Sequence, residues 1–206
     1  MGIKLIRRLV NFLKLLLTGD SIIARHEGLD EPHINHDLQK LIPDCEITNT
    51  AISGINSGGF FACLSDLVFK PEKCDYLIIL LGANDLATHK QVPLEQFKAN
   101  MRLIASSIVW LYYPPKVIFV SPPAVDENKQ HVRNNSLVKE YSQVIAEVAQ
   151  EYHFSYLDLA QSMINHGNLS ELCHGIKNDG LHFGQAGYQL LAKLICDKLT
   201  ELQSWV

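Results

Sequence analysis

Short apolar blocks alternate along this chain with longer stretches of helically spaced apolar residues. The clearest block is 76–81, an almost wholly apolar run bounded by Asp75 and Gly82, as a central parallel strand covered on both faces requires. Residues 13–17 and 116–121 repeat that pattern, 45–49 is a short strand and 154–157 a weaker one. Between the blocks, Ile34, Leu38, Leu41 and Ile42 share one helical face, as do Phe97, Met101, Ile104, Ile108 and Leu111. Leu137, Tyr141, Val144, Ile145 and Val148 predict a further helix, and Tyr188, Leu191, Ala192, Ile195 and Leu199 a closing one. Pro32 suits the first turn of a helix at 31–41, Pro43-Asp44 ends it, and Pro114-Pro115 breaks the long helix that starts from Pro93. A helix is also expected over 60–69. Residues 158–178 are the least periodic part of the chain, broken at Asp158, Gly167 and Gly175.

Strands alternating with helices of this length predict an α/β fold, a parallel sheet of about five strands between two helical layers. Right-handed crossovers then bring every strand exit to one edge of the sheet, the edge where open α/β sheets bind ligands. The chain, residues 1–206, is expected to form one domain with a core of its own, and it shows no internal repeat or low-complexity segment. Residues 1–12 stand outside the alternation as an extra N-terminal amphipathic segment.

Composition narrows the picture further. A hydrophobic content of 47% with 19% charged residues is that of a soluble globular protein, and a net charge of -4 without a basic block argues against nucleic acid as a partner. The five cysteines, Cys45, Cys63, Cys74, Cys173 and Cys196, are scattered and odd in number, which suggests neither a disulfide framework nor a zinc knuckle and predicts a reducing, cytoplasmic location. The N-terminal stretch has the basic and apolar flavour of a signal peptide, but Lys4, Arg7, Arg8 and Lys14 interrupt it and no small-residue cleavage site follows. It is too short and too charged to span a membrane, so it is expected to pack on the body rather than anchor the chain.

The apolar run at 13–17 ends in Thr18-Gly19-Asp20-Ser21, which places a serine at a strand exit. A serine hydroxyl is a weak nucleophile near neutral pH and needs an imidazole to take its proton and a carboxylate to orient that imidazole. Asp179-Gly180-Leu181-His182 precedes the last helix on the same side, with acid and imidazole three residues apart. Gly54 follows the second strand and can present an unobstructed backbone N–H; Asn84 follows the third and offers a side-chain amide. With the N–H of Ser21 itself these are candidate donors to an oxyanion. Each residue has a plainer alternative: Ser21 as a helix cap, Asn84-Asp85 as an Asx-turn, Asp179 as a cap of the final helix with His182 on the surface.

Four blocks in order, Gly19-Asp20-Ser21-Ile22, Gly54 within 49–54, Gly82-Ala83-Asn84-Asp85 and Asp179-Gly180-Leu181-His182, resemble the signature blocks of the SGNH (GDSL-type) hydrolases. The likeness runs from residue 13 to about 200, and is strongest toward small bacterial lysophospholipase-like and acyl-ester-hydrolysing members through Leu86, Phe183, Gly187 and Tyr188. The resemblance implies a flavodoxin-like three-layer sandwich and a serine esterase or lipase without metal or cofactor. It carries over Ser21 as nucleophile, Gly54 and Asn84 as oxyanion donors beside Ser21, His182 as base and Asp179 as its orienter. One departure follows Gly54, where the family often has Asp-Thr and this chain has Ile55-Asn56, a difference that bears on loop rigidity and pocket polarity.

The function so implied is hydrolysis of small to medium acyl esters through an acyl-enzyme, the partner being a small-molecule ester. A carbohydrate O-acetylesterase or a thioesterase would use the same triad, and a flavodoxin-like binding module would keep only the frame. His26, His33 and His36, with Glu27 and Asp30, are expected to be solvent-exposed polar residues rather than metal ligands. Cys63, Cys74 and Cys196 are expected in the core, Cys173 and His174 in ordinary loop packing. Arg25 and His26, close after Ser21, are possible substrate contacts.

Overall fold

Alternation within one strand sets up both faces of the sheet. The computed structural model describes residues 12–204, and β1 (Leu13–Gly19) sends Leu15 and Leu17 into one apolar cluster and Leu16 into the other. In β3 (Tyr76–Leu80), Ile78 and Leu80 face the first cluster while Leu77 and Ile79 face the second. In β4 (Val117–Val120), Ile118 and Val120 are divided from Val117 and Phe119 in the same way. Fully burying each such side chain contributes about 1.5–3 kcal/mol, so these three strands anchor the domain. With β2 (Cys45–Asn49) and β5 (Ser155–Leu157) they form a sheet of five parallel strands in the order β2-β1-β3-β4-β5.

The helices take their faces from the predicted stripes. Those numbered α2 (His33–Leu41) and α8 (Gln185–Gln203) cover the first cluster with Ile34, Leu38, Leu191, Ala192, Ile195 and Leu199. On the opposite face lie α4 (Leu94–Ile108) and α5 (Asn135–Glu151), which bury Phe97, Met101, Ile104, Tyr141, Ile145 and Val148. This is the expected α/β three-layer fold. The strand order reverses between β1 and β3, and α1 (Ser21–Ala24) begins at that crevice.

Two local expectations needed revision. The helix expected over 60–69 divides into α3 (Ser57–Ala62) and a wider turn at Ser65–Phe69, because the Asn56 side chain accepts the Gly59 N–H at 2.9 Å and starts the helix inside a glycine-rich stretch that reads as loop. The aperiodic stretch after β5 contains α6 (Leu159–His166) and α7 (Leu169–Leu172). Asp158 caps α6 and Gly167 ends it with φ +76°, so two residues taken as breaks are its two ends. The amphipathic segment expected at 1–12 falls outside the described residues except for Phe12.

Gly19 fixes the turn before Ser21 to the neighbouring strand. It pairs in register with Leu80 and adopts φ +137°, and a Cβ there would lie 2.0 Å from the Leu80 carbonyl oxygen. Only glycine allows β1 to end so close to β3. The Asp20 N–H then donates to that same Leu80 oxygen at 3.1 Å.

Candidate active site

Asp20 precedes α1 as its N-cap, its Oδ1 accepting the Ile22 N–H at 3.0 Å, so Ser21 occupies the first helical position and the capping role lies one residue earlier. Ser21 Oγ lies 3.0 Å from His182 Nε2, and His182 Nδ1 lies 2.8 Å from Asp179 Oδ2. The other oxygen of Asp179, Oδ1, accepts the N–H groups of Leu181 and His182 at 3.1 and 3.0 Å. Three-residue spacing therefore lets one carboxylate close the backbone turn and hold the ring together. An ionised carboxylate only accepts, which assigns the Nδ1 proton and leaves Nε2 open to the serine hydroxyl. The sequence alternative of a surface histidine is excluded, since His182 is buried.

The other two residues singled out by sequence flank this chain of contacts at the neighbouring strand exits. Asn84, in the turn after β3, is buried and donates one amide N–H to the Ile55 carbonyl at 3.0 Å, which ties it to the residue following Gly54 and leaves its second N–H free of that bond. Gly54 lies in the exposed loop after β2 with φ +85° and open space around its missing side chain. Among the described residues, neither the Ser21 nor the Gly54 N–H donates to a protein acceptor. Ile55 and Asn56, the departure from the family pattern, hold this loop in their own way: Ile55 packs on the apolar cluster behind the sheet and Asn56 caps α3. Asp85 does more than form a local turn. Its buried carboxylate accepts Ser57 Oγ at 2.6 Å and Ser57 N at 2.9 Å, and Asn100 Nδ2 donates to Ser57 Oγ at 2.9 Å.

Burial dominates the electrostatics. It lowers the pKa of His182 below the ordinary imidazole value, against the raising effect of Asp179, and so favours the neutral ring. Burial alone would raise Asp179, but the His182 backbone N–H, the imidazole and the Leu181 N–H together bring it below the ordinary carboxylate value. Asp20 is fully enclosed, and burial pushes it up to about 7, reinforced by the charge of Asp85 and opposed by the Ile22 N–H and by Arg133. Among the described residues its Oδ2 has no hydrogen-bond partner.

Asp20 therefore makes stability depend on pH. Between its ordinary value of 3.8 and its folded value of about 7, the native protein holds a proton that the unfolded chain has lost. Stability falls as pH rises through that window. Asp20→Asn removes this contribution, so in denaturant unfolding the variant gains on the wild type between pH 5 and pH 8 by up to a few kcal/mol at about 1.4 kcal/mol per pKa unit. An equal difference at both pH values would contradict the assignment.

Arg133 and Gln130, in the loop after β4, were missed as members of this site. Arg133 Nε donates to the Ala83 carbonyl at 2.6 Å, and Gln130 Nε2 donates to the Asp179 carbonyl at 3.1 Å, so one loop supports both the Asn84 turn and the Asp179 turn. The available signal was an arginine and a glutamine at a strand exit, which alone is common to many loops. His33 also corrects the expectation of exposure: it is buried and stacks on Tyr188 at 4.6 Å between ring centroids, while His26 is exposed and His36 only partly buried. All five cysteines are free; Cys45, Cys74 and Cys173 are buried, but Cys63, which packs at the edge of the second cluster, and Cys196 are only half-buried. Arg25, a possible substrate contact by sequence, pairs with Glu27. Among the described residues no helix is long and apolar enough to cross a membrane.

Comparison with known proteins shows the family and the fold. A human protein named isoamyl acetate-hydrolyzing esterase 1 homolog is 28% identical over 199 residues, covering 86% of this chain and 77% of its own. The crystal structure of a lipase/acylhydrolase from Enterococcus faecalis superposes with a TM-score of 0.79 at 28% identity, covering 91% of this chain and 95% of the other. An acetylxylan esterase from Geobacillus stearothermophilus, at 22% identity and TM-score 0.71 over 90% and 93% of the two chains, shares the fold. The profile of the GDSL-like lipase/acylhydrolase family matches residues 17–190. This chain, an α/β sandwich with a Gly-Asp-Ser turn at its switch point, belongs to that family of ester-hydrolysing enzymes.

Proposed function

We propose that the chain hydrolyses small acyl esters through an acyl-enzyme on Ser21. The observation that carries the reading is the unbroken series Ser21 Oγ, His182 Nε2, His182 Nδ1 and Asp179 Oδ2 at 3.0 and 2.8 Å. Ser21 Oγ attacks the ester carbonyl as its proton passes to Nε2, and Asp179 stabilises the imidazolium that forms. The tetrahedral oxyanion accepts from the Ser21 and Gly54 N–H groups and the free amide N–H of Asn84. His182 then gives the proton to the departing alkoxide, the C–O bond breaks, and the alcohol leaves. Water, deprotonated by the same nitrogen, attacks the acyl carbon; the Ser21 ester bond breaks, the acid is released and the serine regains its proton. The name of the human relative supports short acyl groups such as acetate as the first to try.

Covalent labelling tests this reading. A fluorophosphonate should form an adduct on Ser21, and both its rate and kcat/KM for p-nitrophenyl acetate should decline together as pH falls through a value below 6.5, because imidazole must be neutral to take the proton and burial lowers its pKa. An adduct elsewhere, no adduct, or an acidic limb above 6.5 would count against it. Esters of rising chain length, acetylated sugars and acyl-CoA in one panel separate esterase, O-acetylesterase and thioesterase activity.

A further inference from the structure

Glu27 does not sit where a solvent-facing acid would. Its side chain is only 3% exposed, and its backbone adopts φ +48°, a left-handed conformation uncommon for a residue with a side chain. Both carboxylate oxygens are engaged. Oε1 pairs with Arg25 Nε, and Oε2 accepts the Ile176 N–H at 2.6 Å. At one end of this connection the Arg25 N–H donates to the Ser21 carbonyl at 3.1 Å. At the other, the Gly175 N–H donates to the His182 carbonyl at 3.0 Å, and a Cβ on Gly175 would lie 3.0 Å from Glu27 Oε2. A single carboxylate thus joins the segment leaving Ser21 to the loop leading to His182, and the glycine at 175 allows its close approach.

We propose that Glu27 is a positioning residue for the Ser21–His182 pair, clamping the 174–178 loop onto the segment after Ser21 and balancing the Arg25 charge with which it pairs. This rests on the roles given to Ser21 and His182 above. The charges that act on the imidazole come from three places: Asp179 on its own turn, Arg25 after α1, and Lys177 in the preceding loop. Arg133, from the loop after β4, acts on Asp20 and Asp179. Asp179 favours the imidazolium, whereas Arg25 and Lys177 oppose it, and Glu27 offsets the first of those two cations.

Two substitutions of similar size then have opposite signs. Glu27→Gln keeps an oxygen for the Ile176 N–H but leaves Arg25 unbalanced, so the imidazolium forms less readily and the acidic limb of kcat/KM moves to lower pH. Arg25→Gln leaves the carboxylate uncompensated, so the limb moves to higher pH. Each shift should be about half a pH unit or more. Glu27→Ala, which removes both contacts, should lower kcat on the order of tenfold to a hundredfold with KM changed less than about threefold, and Glu27→Gln should recover most of that loss.

Loosening of the fold alone would not move the pH limb in opposite directions. The proposal is overturned if the two glutamine variants shift it the same way or not at all, or if Glu27→Ala keeps wild-type kcat. Should Glu27→Ala fail to fold by its thermal melt, the pair of glutamine variants decides the matter. If Ser21→Ala retains esterase activity, the reading of the site fails and the clamp with it. If Ser21→Ala is inactive while the limb stays put in both glutamine variants, the clamp alone is wrong.

Discussion

With Ser21 replaced by alanine, kcat on p-nitrophenyl acetate should fall on the order of 10⁶-fold, and the remaining acceleration should be about 10³ to 10⁴ over water. The large effect follows from the position of the hydroxyl, which lies within hydrogen-bond reach of the one imidazole placed to deprotonate it. The residual follows from what the substitution leaves in place, the proposed oxyanion donors: the backbone N–H of residue 21, the Gly54 N–H and the Asn84 amide. Stability should change little, about 1 kcal/mol, since one neutral hydrogen bond is lost and no cavity larger than an oxygen is made. Purified Ser21→Ala protein with more than a few per cent of wild-type turnover would show that another group carries the acyl transfer.

Asn84→Ala is the second large effect. Its amide is the side-chain member of the proposed donor set, and removing one such donor costs on the order of 10² to 10³ in kcat. The loss should fall on kcat rather than KM, because an oxyanion exists in the transition state and not in the bound ester. Asn84 also anchors the Ile55 carbonyl, so its removal frees the loop that presents Gly54, and the decrease should lie toward the upper end of that range. A variant with raised KM and unchanged kcat would make Asn84 a ground-state contact instead.

Much of this architecture was legible because the pattern of the strands is simple. Residues 76–81 announce a central strand without any motif, and the stripe from Phe97 to Ile108 announces the helix that covers it. The candidate site was legible for a different reason: its members sit at strand exits and in one tight turn, where local sequence determines geometry. What escaped the sequence depends on contacts between distant segments. Glu27 is indistinguishable from a surface acid until Ile176 is brought to it across 149 positions, and Gln130 from a loop amide until it meets the Asp179 carbonyl. The first short helix after β5 escaped because its caps, Asp158 and Gly167, are also ordinary turn residues.

The contact between Gly19 and the Leu80 carbonyl separates what can vary in this enzyme from what cannot. It makes the turn of the proposed nucleophile an extension of the sheet, so Ser21 inherits the rigidity of two central strands, and residue 19 tolerates no side chain. Exposed positions in the loops beyond this seam, such as Ile52, Ser53 and His131, bear no such restriction. Changes of substrate preference can accumulate there one residue at a time, with the distance between hydroxyl and imidazole set by the framework beneath.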